Sequence, residues 1–209
     1  MSLIEALNWR YATKRMNGNK IDPAKLENIL EATRLSVSAV GLQPYNIIVI
    51  ESPELREKIK PIAFNQPQIT EASHLLVFAA WDKITEARFD EFIQDVADQR
   101  GVTVESLNGF QNYKKNMLSR TDEENYHSAV SQTHIAFGTA VAAAALEHVD
   151  ATPMGGFNHE ALDELLGLKE KGLKSEILLA LGHRDESQDW LVGQKKVRRP
   201  KEKLFVELA

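Results

Sequence analysis

Residues 135–149 read IAFGTAVAAAALEHV, a helical stretch that is apolar on almost every side. A helix with no polar face has to be buried all round. A chain of 209 residues has few other elements to wrap around it. A second copy of the same chain is then a natural cover. Thr121 and Glu124, spaced as a capping box, mark the start of this helix, which runs to about His148.

The remaining signals describe one α+β domain over residues 1–209, with roughly five helices and three or four strands. Ser2 and Glu5 form a second capping box and open a helix over residues 3–10. Asp22-Pro23 starts another, with Leu26, Ile29, Leu30 and Thr33 on one face. Ser52-Pro53 starts a third, with Leu55, Ile59 and Ile62 inward. Residues 85–100 are helical by period, and Asn158 caps a helix that ends before Gly167. Strands are expected at 45–52, at 74–81 and at 175–183. HLLVFAAW (74–81) is apolar throughout, as a central strand is. Residues 101–120 are polar and weakly periodic. The tail, 184–209, is polar and basic with a short strand expected at its end.

Composition closes several doors. A net charge of -5 argues against nucleic acid as a general partner, since phosphate binding wants a basic field. There are no cysteines, so disulfides, thiolate nucleophiles and Cys-ligated metals are excluded. MSLIEALNWRYATKR lacks the apolar core of a secretory signal, and AVAAAALEHV is short for a membrane span. The expectation is a soluble, cytoplasmic protein with no membrane partner.

No dinucleotide-binding glycine fingerprint, Walker A loop or nucleophile elbow is present. His127 and His134 stand two turns apart, too far for an ordinary ligand pair, and read as solvated or core histidines; no metal is expected. What remains is dispersed. Arg10, Lys14 and Arg15 follow the first helix, and QKKVRRPKEK concentrates cations near the other end. The two clusters suit convergence on one anion; the tail run alone also reads as solvated. The paired glycines of TPMGGFN allow either close approach of a ligand or a plain tight turn. SVSAVGLQPYNIIVI (36–50) sets a bare, small-residue loop before a buried strand and poses the same choice. Phe110 and Tyr113 either cover a pocket or pack between helices.

Taken in order, these pieces resemble the FMN-dependent nitroreductase family. The resemblance rests on RYATKR, S-x-x-x-x-Q-P-Y (38–45), FNQPQITEASHLLVFAA (64–80), Gln132 in SQTHIAFGTAVAAAALEH, PMGGF, GLKEKG and KVRRP, and covers nearly the whole chain. It implies a nitroreductase-like sandwich: a mostly antiparallel central sheet flanked by helices, a long buried helix at a homodimer interface, and a swapped C-terminal arm. It implies bound FMN, with NAD(P)H as reductant.

Carried over by position, Arg10, Lys196 and Arg198 would hold the FMN phosphate. Lys14, Asn65 and Gln68 would address the pyrimidine edge of the ring. The backbone of Val37, Ser38 and Ala39 would lie under one face of it. Gly155 and Gly156 would bring a backbone N–H to flavin N5. Gly41 and Gln132 would sit close by, and Tyr11, Ala12 and Met154 complete the contacts. Ala12, Gln68 and Gly155 stand where other members have Ser, Lys and Glu. No protein side chain is expected to act as general acid or base, because the cofactor carries the redox step. The acceptor would be flat and electron-poor: a nitroaromatic, quinone or enone. The alternatives are another flavin reaction on the same fold, a non-enzymatic FMN-binding protein, and a structural protein with a buried dimer helix and a basic arm.

Overall fold

HLLVFAAW can be apolar at every position only where both its faces and both its edges are covered. The computed structural model, which describes residues 1–208, gives it that place. This strand, β2 (His74–Trp81), lies between β1 (Tyr45–Ile50) and β4 (Leu173–Gly182). A fourth strand, β3 (Asp150–Met154), pairs with the far side of β4. All three pairings are antiparallel, with Ile48 opposite Val77, Val77 opposite Leu178 and Thr152 opposite Ala180. No strand was expected at residues 150–154. Pro153 cannot donate to a ladder, which hid the strand; β3 tolerates it because it is an edge.

The strand period of two then sorts the core into layers. Leu75, Val77, Leu178 and Ala180 face one way, toward α3 (Pro53–Ile62) and α8 (His159–Leu166). Leu76, Phe78, Leu179 and Leu181 face the other way, toward α2 (Pro23–Arg34) and α7 (Asp122–Leu146). Both predicted capping boxes form, at α7 and at α1 (Leu3–Trp9).

The long helix α7 sits on the sheet through small residues, with Ala129, Thr133, Ala136, Ala140 and Ala144 all buried. Its other side is only partly covered: Ile135 is 45% exposed and Leu146 is 43% exposed. The full 25-residue helix is long and apolar enough to cross a membrane, unlike the shorter run considered from sequence. In this fold it is seated on the sheet and on α2.

Two expectations need correction. The segment 101–120 contains a helix, α6 (Asn108–Leu118), packed on α5 (Glu86–Arg100). Its period was hidden because a lysine lies flat between the two helices: Lys114 is largely covered and pairs with the exposed carboxylates of Asp90 at 2.5 Å and Glu86 at 3.0 Å. Phe110 stacks edge-on against Phe92 at 5.5 Å and Tyr113 lies 6.0 Å from Phe89, which favours the packing reading of both. The strand expected in the tail is instead a single helical turn, α9 (Lys201–Leu204), followed by exposed, unpaired residues up to Leu208.

Candidate functional site

The first helix ends because Arg10 turns extended, at φ -71° and ψ 143°. That leaves the last carbonyls of α1 without helical partners. Lys196, from the far end of the chain, supplies them: its ammonium donates to the Leu7 and Arg10 carbonyls. A cation at a helix C-terminus is also favoured by the helix dipole. Arg10 donates in turn to the Ala151 carbonyl of β3 at 3.3 Å. Arg184 sits between the rings of Trp9 and Tyr11, at 4.4 and 4.5 Å, and is held there by Asp150.

The two basic ends of the sequence therefore meet around one cleft of about 450 Å³, lined by Arg10, Tyr11, Arg184, Lys196 and Arg198. Its cations disturb one another. Burial pushes the pKa of Arg10 down, and Arg198 adds to that effect. Lys196 is pushed down by burial, then by Arg10 and Arg198. The Nε of Arg10 is buried without a partner. Such a cluster is relieved by an anion.

From Arg10 the chain passes alongside β3. The Thr13 hydroxyl donates to Asp189, and the Lys14 N–H does so at 3.1 Å. The Thr13 carbonyl accepts from Gln68 Nε2 at 3.1 Å and from the Thr152 hydroxyl at 2.9 Å. Gln68, at the start of α4 (Gln68–Glu71), is only 3% exposed, and its Oε1 has no partner. The Tyr11 phenol is pushed up to about 12, by burial first and then by nearby Asp189. It keeps its proton at neutral pH.

Asp189 escaped the sequence reading, since nothing in SQDW marks it as a hub. Burial raises its pKa, but the Thr13 hydroxyl and the Leu191 and Lys14 N–H groups outweigh that and leave it lowered. Its stabilising contribution is thus complete above the ordinary Asp pKa and disappears as pH falls through the depressed one. Asp189→Asn should lower unfolding free energy at pH 7 by about 1.5–3 kcal/mol, the scale of a hydrogen bond to a charged group. The gap to the wild type should close below about pH 4. Urea titrations at several pH values check this; a gap that stays constant into acid would refute the assignment.

Where β3 ends, the glycine pair begins. Neither Gly155 nor Gly156 has a positive φ. A Cβ on Gly155 would meet nothing within 4 Å, and one on Gly156 would meet only Phe64 and Gln66 side chains at ordinary contact distance. Nothing among the described residues demands glycine at either position, so the tight-turn reading loses its support. Gln66 ties this segment to the preceding loop by donating to the Gly156 carbonyl at 2.9 Å. That loop holds Phe64 and Asn65 at φ 53° and 57°. The Met154 side chain is buried in the core.

The remaining candidates lie elsewhere. Val37, Ser38, Ala39 and Gly41 occupy the loop between α2 and β1, with Val37 73% exposed and Gly41 at φ 83°. The Ala39 N–H donates to Gln132 of α7 at 2.8 Å. This loop enters β1, whereas the Arg10–Gly156 group gathers at β3. Those are opposite edges of a four-stranded sheet, three interstrand spacings or about 14 Å apart. The structure thus sorts the predicted residues into two groups.

The nitroreductase family model matches residues 7–183. The chain belongs to the nitroreductase family. Among curated nitroreductase relatives, the major NAD(P)H-flavin oxidoreductase of Aliivibrio fischeri is 31% identical over 206 residues, covering 94% of both chains. A solved structure from Exiguobacterium sibiricum, in complex with FMN, is 21% identical with a TM-score of 0.84, covering 100% of this chain and 98% of that one. An enone reductase of gut-bacterial fatty acid biohydrogenation is 19% identical with a TM-score of 0.79, covering 100% and 98%. These likenesses agree with the α+β sandwich described above.

Proposed function

We propose that this nitroreductase-family chain is an FMN-dependent NAD(P)H oxidoreductase that works as a homodimer in the cytoplasm, one FMN-binding domain per chain. The observation that carries the reading is the convergence of Arg10, Arg184, Lys196 and Arg198 on one cleft, with Asp150 as the carboxylate bound to Arg184. A dianionic phosphate suits that excess of positive charge. The flavin oxidoreductase of Aliivibrio fischeri supports the same reading at 31% identity.

The rest of the site fits a flat ring continuing from that phosphate. Gly155 and Gly156 leave their backbone open to close approach, and the backbone of Lys14 is fixed through its N–H bond to Asp189. Gln68 is neutral: one of its amide N–H donors goes to the Thr13 carbonyl, and its Oε1 is buried without a partner among the described residues. Positive charge on that edge then rests on Lys14, which favours a lower flavin potential than a lysine at position 68 would give.

A homodimer accounts for the separation of the two groups. The loop of Val37, Ser38, Ala39 and Gly41 would complete the site of a second copy. The apolar surface left open on this chain favours the same assembly: Leu3, Ile4 and Leu7 of α1, Ile135 of α7, and Val197, Phe205 and Val206 of the tail. When bound, FMN would supply hydride chemistry at N5 between NAD(P)H and an acceptor. The chain's own residues hold the phosphate, orient the ring, set charge at its pyrimidine edge and exclude water. Acceptors that fit are flat and electron-poor, such as nitroaromatics, quinones and enones.

A visible spectrum of the purified protein tests the reading directly. A flavin spectrum is expected, bleached by NADH or NADPH in the absence of oxygen. A flavin that neither bleaches would favour a non-enzymatic FMN carrier. A colourless protein that also refuses added FMN would defeat the proposal.

A further inference from the structure

The loop between α2 and β1 holds backbone conformations that its own sequence disfavours. Val40 lies at φ 52° and Gln43 at φ 47°. A β-branched residue in the left-handed region is strained and persists only where its surroundings fix it. Two of the restraints come from α7. The Ser36 and Thr139 hydroxyls lie 3.0 Å apart, and the Ala39 N–H donates to Gln132 Oε1 at 2.8 Å. Gln132 and Thr139 are about two helical turns apart and share a face of α7. The loop is therefore pinned at two points along a rigid rod.

Gln132 is 8% exposed, and its amide nitrogen donates to the carbonyl and hydroxyl of Ser128, at 3.3 Å each. A backbone carbonyl can only accept, so the nitrogen must face Ser128 and the oxygen must face Ala39. Both ends of the amide are thus engaged within the chain. The resemblance put Gln132 beside the cofactor; these contacts give it a different task.

We propose that Gln132 is a positioning residue, with Thr139 as a second and weaker anchor. It acts through the Ala39 N–H to hold the strained loop flat and ready, and does not itself bind the ligand. That this loop supports a flavin rests on the function proposed above; that Gln132 holds the loop does not.

Hydrogen exchange across residues 36–43 without FMN, and FMN uptake by the same apoprotein, test the two parts separately. Gln132→Leu keeps bulk and removes all three bonds. Exchange at Ala39 should quicken, and FMN affinity should fall, each by about tenfold, the scale of one lost buried bond. Gln132→Glu keeps the acceptor for Ala39 and can take a bond from the Ser128 hydroxyl, so it should return both to within about threefold of wild type. Thr139→Val, a milder change, should move both in the same direction by less, and serves if the leucine variant folds poorly. Wild-type exchange at Ala39 in both Gln132→Leu and Thr139→Val would overturn the proposal. So would a loss of FMN affinity in Gln132→Leu with no change in exchange, which would make Gln132 a direct ligand. A wild type that takes up no FMN would sink the flavin reading while exchange still decides the tether.

Discussion

Lys196→Ala combined with Arg198→Ala is expected to weaken FMN binding by about a thousandfold at low salt, since each charged hydrogen bond contributes about 1.5–3 kcal/mol. The geometry explains why both residues belong in the test. Two of the three N–H donors of Lys196 reach the Leu7 and Arg10 carbonyls, leaving one for a phosphate oxygen. Among the described residues Arg198 pairs with no carboxylate, and its charge already disturbs Arg10 and Lys196. Loss of the pair should also flatten the salt dependence of FMN binding, because fewer cations remain to be screened. Equilibrium dialysis of the apoprotein at two salt concentrations measures both effects. Light scattering on the same samples should still report the wild-type mass. An affinity within threefold of wild type would mean that the basic arm is a solvated tail. Aggregation or monomerisation would mean that its first duty is structural.

How much of this could be read beforehand depended on whether the signal was local. The capping boxes at Ser2 and Thr121, the proline at position 23 and the uninterrupted apolar run of β2 each carry their own physical cause, and each appears where expected. The meeting of Arg10 with Lys196 was legible as two unlike basic runs in an acidic chain, though not as a cap on α1. What stayed hidden depends on partners far away in sequence. Asp189 matters only because Thr13 and Lys14 fold onto it. α6 is held by Lys114, whose polarity masks its burial. β3 contains a proline that only an edge position excuses. The placement of Val37–Ala39 and Gly155–Gly156 at opposite edges follows from strand order, which local pattern does not encode.

Strand order also places Asp150 where its loss should cost the fold heavily. It opens β3 opposite Gly182, where β4 ends, so its carboxylate meets the segment that follows. It accepts from the Arg184 N–H at 2.8 Å, from Nε at 2.9 Å and from Nη2 at 2.6 Å. Asp150 is 3% exposed, and the guanidinium it holds is stacked between Trp9 and Tyr11. Asp150→Ala would leave that guanidinium without its counter-charge in a partly desolvated place. A destabilisation of about 3 kcal/mol is expected, at the lower end for a broken buried pair because Arg184 keeps some solvent contact. Removing both partners, as Asp150→Ala with Arg184→Met, should cost less than the aspartate change alone, because no stranded charge remains. Asp150→Ala also reaches the proposed phosphate cleft, since Trp9 and Tyr11 flank Arg10. FMN affinity should therefore fall in the single variant even under conditions where it stays folded. Urea unfolding of the four proteins of this cycle gives the coupling. If the double variant is no more stable than Asp150→Ala, the carboxylate acts through its backbone bond to Arg184 and not by neutralising the guanidinium.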